Sequence, residues 1–119
     1  PYAPYSEVFP RCAALVHSCG IGTIAQAMRA GKPSLALSYG FDQPDNAARL
    51  ARLGMGKIVP AKKYTADLAA SLLREILENP VYAERASSLG GRVQAEDGAG
   101  TACLAIDRFL KGLFRKQFG

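Results

Sequence analysis

A short apolar run followed directly by a glycine cluster constrains this chain more than any other feature. Residues 13–16 are apolar throughout, and His17-Ser18-Cys19-Gly20-Ile21-Gly22 follows them without a spacer. Such a run, bounded by glycines, predicts a buried strand that ends in a tight turn. A helix is expected next, over 23–30, because Gly31 and Pro33 supply a C-terminal glycine and a residue that cannot continue the helix.

The same alternation of strand and helix continues along the chain. Strands are predicted over 34–38 and 57–60, and helices over 42–53, 65–79, 81–96 and 101–114. Thr65 is expected to cap the helix over 65–79, and Gly90-Gly91 is expected to weaken the helix over 81–96. Strands separated by helices imply parallel pairing through right-handed crossovers. The sequence therefore predicts an α/β layered fold.

Two of these helices carry apolar residues that need a partner surface. In the helix over 65–79 they fall on one face and are Leu68, Leu72, Leu73, Ile76 and Leu77. In the last helix they are Leu104, Ile106, Phe109, Leu110 and Leu113. Both sets are expected to supply surface for the core.

Two loops are expected at the carboxyl ends of the strands, where open parallel sheets bind ligands. In the loop over 17–23, glycines let a ligand approach the backbone, and the following helix presents N–H groups and its positive dipole end. This loop predicts a phosphate site, to which the hydroxyls of Ser18 and Thr23 add donors. The second loop contains Asp42-Gln43, whose carboxylate and amide suit neighbouring sugar hydroxyls.

The residues alone leave other interpretations open. The pattern Gly20-x-Gly22-x-x-Ala25 after a strand also fits the dinucleotide-binding fingerprint, and Asp42 lies at the right distance to bind ribose. An NAD-binding oxidoreductase is therefore an alternative. Against it, the second predicted strand ends at Ser38 and Asp42 stands at a helix start, where its structural role would be an N-cap. A glycine turn with no ligand is a third interpretation.

Four segments carry a resemblance to a known family. They are His17-Ser18-Cys19-Gly20-Ile21-Gly22-Thr23, Ala30-Gly31-Lys32-Pro33, Asp42-Gln43-Pro44-Asp45-Asn46-Ala47-Ala48-Arg49-Leu50 and Leu53-Gly54-Met55-Gly56. Together they resemble the donor-binding signature of GT-B glycosyltransferases of the family-1 type, over residues 2–109 and most strongly over 17–56. The resemblance implies a three-layer, Rossmann-like parallel sheet with helices on both faces, part of the C-terminal domain of a GT-B fold.

In this interpretation, residues 1–119 form the C-terminal part of the nucleotide-sugar-binding domain, and the N-terminal acceptor domain is absent. The opening Pro1-Tyr2, without an initiating Met, agrees with an excised piece.

The resemblance also implies site residues, position by position. It places the base against Tyr2, Ala3 and Tyr5, the ribose against Gln26, and the donor sugar against Asp42 and Gln43. It places the phosphates against His17, Ser18, Cys19, Gly20, Gly22 and Thr23. Family members usually have a diphosphate-holding histidine where this chain has Ser18, and His17 aligns one residue earlier. Because serine cannot become cationic, this departure leaves the role of His17 open between a phosphate contact and a residue at a strand end.

The implied function is transfer of a hexose from a UDP- or dTDP-linked donor to the hydroxyl of a lipid or small natural product. The catalytic base is expected on the acceptor domain, so no residue here is assigned that role and the isolated segment is expected to be inactive. Neither a metal ion nor a cofactor besides the donor substrate is expected. The alternatives are a half-subunit, a non-catalytic nucleotide-sugar-binding module and, behind them, the NAD-binding domain.

Charge and composition bear on partners and location. The net charge of +5 suits nucleotide diphosphates, acidic lipid surfaces or nucleic acid, and the resemblance selects the first and disfavours nucleic acid. Lys111, Arg115 and Lys116 form either a solvated helix end or a membrane-facing patch. Three cysteines, an odd number, indicate reduced thiols, so a cytoplasmic location is expected, at the inner membrane face if that patch binds lipid. An exposed sheet edge would favour a homodimer.

Overall fold

Three parallel strands form the centre of the structure. The computed structural model describes residues 2–118, with side chains through residue 113. The strands lie side by side in chain order and are β1 (Leu15–His17), β2 (Ser34–Ser38) and β3 (Gly56–Pro60). Val16 pairs with Leu35, and Leu35 pairs with Lys57. Because all three strands run in one direction, the loops that follow β1 and β2 meet at the same edge of the sheet.

Helices fill most of the remaining chain. They are α1 (Tyr5–Val8), α2 (Ile21–Arg29), α3 (Gln43–Arg52), α4 (Ala66–Glu78), α5 (Pro80–Ala95) and α6 (Gly98–Phe118). Short 3-10 turns cover Phe9–Arg11 and Ala61–Lys63. Each predicted strand and helix is present with end shifts of a few residues, and the N-terminal α1 was not predicted. As predicted, Thr65 caps α4, because its Oγ1 accepts the N–H of Leu68 at 3.2 Å.

Alternate residues of β2 face two different helix layers. Ala36 belongs to a buried cluster that contains Ile24 of α2 and Leu50 of α3. Leu35, the neighbouring residue, belongs to a second buried cluster that contains Ile76 of α4. This is what the two-residue side-chain period of a strand requires when both faces of the sheet are covered. The three-layer, Rossmann-like arrangement predicted from the sequence is therefore confirmed.

The predicted weak point at Gly90-Gly91 is wrong, because α5 runs unbroken from Pro80 to Ala95. Gly90 lies where α5 crosses the end of α2. A Cβ at this position would lie 2.8 Å from the Cα of Gly31 and 3.0 Å from the carbonyl oxygen of Met28. The missing side chain thus allows the two helices to approach each other closely, and the tertiary contact offsets the low helix propensity of glycine.

The apolar face of α4 is narrower than predicted. Ile76 is 1% exposed, and Leu72 and Leu73 pack against the same buried cluster. Leu68 and Leu77, however, are 37% and 55% exposed. The sheet contacts only the central stripe of α4, so apolar residues at the margins of the predicted face remain in contact with solvent.

The last helix begins earlier than predicted, and none of its residues through 113 is buried. All five of its predicted apolar residues are exposed, and they are Leu104, Ile106, Phe109, Leu110 and Leu113. On the same helix Lys111 forms an ion pair with Asp107, with Nζ and Oδ2 2.7 Å apart. Arg115 and Lys116 lie beyond the residues whose side chains are described. No helix in the described part of the chain combines the length and hydrophobicity needed to cross a membrane.

Candidate functional site

The loop after β1 leads directly into the N-terminus of α2. This helix starts at Ile21, two residues before the predicted position, so Gly22 and Thr23 lie in its first turn. Among residues 2–118, no side chain caps this end, and the first helical bond runs from the N–H of Ile24 to the oxygen of Gly20 at 3.0 Å. The N–H groups of the first turn and the positive end of the helix dipole therefore point outward together, as anion binding requires.

The glycines of this loop are not explained by the fold itself. Gly20 has a φ of −60°, which any residue can adopt. A Cβ built on Gly20 or Gly22 would meet no heavy atom within 4 Å. Neither backbone conformation nor packing requires glycine here, in contrast to Gly90. Close approach of a ligand to the backbone, as predicted from the sequence, would account for glycine at both positions.

In this loop the residue with a left-handed backbone conformation is Cys19 rather than a glycine. Cys19 has a φ of 65° and a fully buried side chain. Burial raises the pKa of its thiol to about 11, so the sulfur stays protonated and is a poor nucleophile at neutral pH. The predicted phosphate contact of Cys19 can therefore come only from its backbone.

His17 lies at the end of β1 with its ring turned toward the loop. Its Nδ1 accepts the N–H of Cys19 at 3.2 Å, and its Nε2 is buried without a partner among the described residues. An accepting Nδ1 requires the neutral tautomer with the proton on Nε2. Burial lowers the pKa of His17, which favours this neutral form. Phosphate binding by a cationic His17 is not favoured by this geometry, and a phosphate contact by Ser18 stays a prediction.

The second predicted loop lies at the start of α3. Asp42 occupies the N-cap position of this helix, as the structural interpretation expected, but its side chain makes no capping hydrogen bond. Its Oδ2 instead accepts a hydrogen bond from Asn46 Nδ2 at 2.8 Å. Gln43 Oε1 accepts the N–H of Tyr39 at 3.0 Å, which leaves its amide nitrogen as the group that can reach a ligand. An exposed carboxylate and a neighbouring amide donor are thus presented at the edge of the sheet.

Asn46 connects the two loops and was not singled out from the sequence. Its Nδ2 donates to the carbonyl oxygen of Cys19 at 3.1 Å as well as to Asp42. Both partners are acceptors, so the orientation of the amide follows from the hydrogen-bond network. The four-residue spacing between Asp42 and Asn46 on a helix is the sequence signal that could have found the second contact.

The N-terminal candidates lie beside α2. An open groove of about 490 Å³ is lined by Tyr2, Ala3, Tyr5, Ser6 and Gln26. The structure thus brings all predicted base-binding residues together with the predicted ribose-binding residue. Gln26 lies four residues after Gly22 on α2, so both occupy the same face of the helix. The groove and Gly22 therefore lie along one face of α2.

The two tyrosines of the groove differ in their surroundings. The ring of Tyr5 stacks on Phe9, with centroids 4.4 Å apart and planes 15° apart. Tyr2 is 91% exposed. Tyr2 is therefore the more accessible of the two rings to a base.

Comparison with known proteins decides the family. Residues 1–101 match the family model described as Erythromycin biosynthesis protein CIII-like, C-terminal domain. The chain belongs to this family. The GT-B resemblance inferred from its motifs is thereby confirmed for this EryCIII-like domain.

Relatives of the EryCIII-like domain are glycosyltransferases. It is 40% identical over 112 residues to O-mycaminosyltylonolide 6-deoxyallosyltransferase of Streptomyces fradiae, covering 93% of the chain and 26% of that enzyme. It is 34% identical over 109 residues to sterol 3-beta-glucosyltransferase of Aspergillus fumigatus, covering 92% of the chain and 8% of that enzyme. The chain thus spans about a quarter or less of the length of these two relatives.

Solved structures agree with the family assignment. The glycotransferase of kitacinnamycin matches with a TM-score of 0.82 and 27% identity, over 90% of this chain and 28% of that chain. Glycosyltransferase VinC in complex with dTDP matches with a TM-score of 0.75 and 28% identity, over 79% of this chain and 24% of that chain. These matches establish the fold of the EryCIII-like domain, while the role of each site residue remains a prediction.

Proposed function

We propose that the EryCIII-like domain binds the donor of a glycosyl transfer, a UDP- or dTDP-linked hexose. The observation that carries this proposal is the order in which three surfaces are arranged. Gln26 lines the groove that contains Tyr2 and Tyr5, and it lies on the face of α2 that contains Gly22. Asn46 joins the glycine loop to Asp42. Their order, groove then helix N-terminus then carboxylate and amide, is the order of base, diphosphate and sugar in a nucleotide sugar.

The reaction that such a site supports is substitution at the anomeric carbon. An acceptor hydroxyl forms a new bond to that carbon while the bond to the diphosphate oxygen breaks, and the nucleoside diphosphate leaves with the electron pair. The negative charge that grows on the diphosphate faces the N–H groups and dipole of α2, which stabilise it. A helix dipole at an exposed site contributes only about 0.3–1 kcal/mol, so several backbone and hydroxyl donors must act together.

The general base and the acceptor are proposed to come from outside this chain. The hydroxyl proton must pass to a general base, which we place in a part of the enzyme beyond these residues. The name of the Streptomyces relative supports a small natural product as acceptor, and the name of the Aspergillus relative supports a sterol. Within the donor, the VinC complex with dTDP supports thymine as the base.

A calorimetric titration of the chain with dTDP, UDP and NAD tests the proposal. We expect a nucleoside diphosphate to bind and NAD not to bind. Gly22→Val should abolish this binding, because a branched side chain would occupy the open space at the helix N-terminus. Gly91→Val is the matched control, since Gly91 is also helical and also has no heavy atom within 4 Å of a Cβ.

Two outcomes would contradict the proposal. Binding of NAD without binding of dTDP or UDP would favour the dinucleotide-binding alternative. Equal affinities of the Gly22→Val and Gly91→Val variants would place the ligand away from α2. A half-subunit and a non-catalytic module would bind the same donor, so donor binding alone does not distinguish them from part of a complete enzyme. A measurement of sugar transfer makes that distinction.

Self-association and membrane binding are also proposed, each for a stated surface. β1 is an edge strand within residues 2–118, and its Val16 is 48% exposed, which favours pairing of two chains along this edge. The exposed apolar residues of α6 favour a partner surface or a membrane. Sedimentation velocity measures the first interaction, and flotation with anionic vesicles measures the second.

A further inference from the structure

The backbone of Cys19 is held from both sides. Its φ of 65° is unfavourable for any residue with a Cβ, so the surrounding structure must stabilise it. On one side its N–H donates to His17 Nδ1 at 3.2 Å. On the other side its carbonyl oxygen accepts from Asn46 Nδ2 at 3.1 Å. Two side chains from different elements, the end of β1 and the first turn of α3, thus hold one residue in a conformation it would otherwise leave.

This conformation determines the direction in which the chain enters α2. Cys19 is separated from the first residue of α2 by Gly20 alone. Gly20 has few steric restrictions, so it cannot transmit a fixed direction unless the residue before it is fixed. Holding Cys19 therefore sets where the N–H groups of the first turn point.

Asn46 extends this control to the sugar end of the site. An amide nitrogen carries two hydrogens, and those of Asn46 are directed to the Cys19 oxygen and to Asp42 Oδ2. One side chain therefore fixes the position of the carboxylate relative to the glycine loop. The distance between these two groups matters because a diphosphate and its sugar are covalently joined.

We propose that His17 and Asn46 are positioning residues of the donor site, which hold Cys19 in its left-handed conformation and keep the glycine loop and Asp42 in register. This inference rests on the proposed donor function. His17 acts through its neutral Nδ1 as an acceptor, rather than as a cation on phosphate. Asn46 acts through both hydrogens of its amide.

The thiol of Cys19 provides a readout of loop conformation that needs no ligand. It is fully buried, whereas Cys12 is partly buried and Cys103 is exposed. In a Cys12→Ala, Cys103→Ser background, the rate of reaction with a thiol reagent measures how often the loop opens. His17→Leu and Asn46→Leu should each raise this rate about tenfold, since each removes a hydrogen bond that closes the loop.

His17→Asn is the matched control. The asparagine Oδ1 can take the place of the imidazole Nδ1 as acceptor, so this variant should keep both the thiol protection and the nucleotide affinity of the parent. His17→Leu should weaken binding of dTDP or UDP about tenfold. In a Cys19→Gly background the loss caused by His17→Leu should be smaller, because glycine adopts positive φ without a steric penalty.

Several results would overturn the proposal. One is continued protection of Cys19 in both leucine variants, and another is an equal effect of His17→Leu on nucleotide affinity with and without the Cys19→Gly substitution. If circular dichroism shows that His17→Leu unfolds the chain, Asn46→Leu and Asn46→Ala still test the hydrogen bond to the carbonyl oxygen of Cys19. Loss of thiol protection in the leucine variants, with no nucleotide bound by the parent, would support the positioning of the loop and overturn the donor function.

Discussion

Gly56 of β3 lies so close to Ser34 of β2 that no side chain fits between them. A Cβ built on Gly56 would overlap the carbonyl oxygen of Ser34, a backbone atom that cannot move without distorting the pairing of the two strands. Gly56→Ala should therefore lower the free energy of unfolding by about 3 kcal/mol. Urea denaturation measures this change. Gly91→Ala, where a Cβ meets open space, should instead leave stability unchanged or raise it by about 0.5–1 kcal/mol.

Asp42→Ala should weaken binding of a nucleotide sugar about tenfold while leaving the affinity for the nucleoside diphosphate unchanged. The reason is that Asp42 is exposed and its side chain bonds only to Asn46 among the described residues, so its carboxylate remains available to sugar hydroxyls. Calorimetry with both ligands separates the two effects. Asp45→Ala is the matched control, because Asp45 is also exposed and pairs with Arg49. A large drop in melting temperature for Asp42→Ala alone would indicate a structural role instead.

Tyr2→Ala should reduce the affinity for dTDP or UDP about tenfold, because stacking of a base on an aromatic ring contributes about 1–3 kcal/mol. Tyr2 is 91% exposed at the edge of the groove, so its removal should not change the melting temperature. Tyr64→Ala serves as control, since Tyr64 is also exposed but lies outside the groove. Competition by the free nucleoside is expected as well, and its absence would remove Tyr2 from the base site.

Stability should fall on acidification through a contribution from His17. Burial lowers the pKa of His17 in the folded chain, so below its ordinary value of about 6.5 the unfolded chain binds more protons than the folded chain. Above about pH 6.5, His17 has no effect on the free energy of unfolding. As the pH falls from this value toward the folded pKa of His17, the free energy of unfolding decreases by at most about 1.4 kcal/mol per pH unit. Unfolding free energies at pH 7.5 and 5.5 should differ more for the parent than for His17→Asn. Equal differences would mean that His17 does not titrate in this range.

Phe41→Gly should stabilise the fold by about 1 kcal/mol, which urea denaturation can measure. Phe41 has a φ of 59° and a fully exposed side chain, so the change relieves backbone strain and removes no buried contact. Tyr39→Gly is the control, because Tyr39 is also exposed but its φ is not positive. Strained residues cluster at functional sites, and Phe41 directly precedes Asp42. We therefore expect Phe41→Gly to weaken nucleotide-sugar binding as it stabilises the fold.

The sequence by itself determined the order of strands and helices from β1 onward and the position of both loops. Short apolar runs, glycine and proline stops, and the Thr65 cap act within a few residues, so they can be recognised without a structure. The motif over 17–56 likewise identified the family that the matching family model confirms.

Only the tertiary structure decided which residues hold the site together. The bond between Asn46 and Cys19 joins residues 27 positions apart, and no local pattern indicates it. The left-handed residue is Cys19 although glycines lie beside it, because side chains of His17 and Asn46 stabilise it there. Gly90 strengthens a helix crossing that its propensity alone would weaken. In each case the deciding term is a hydrogen bond or an excluded volume between segments distant in sequence, and such terms exist only once the chain is packed.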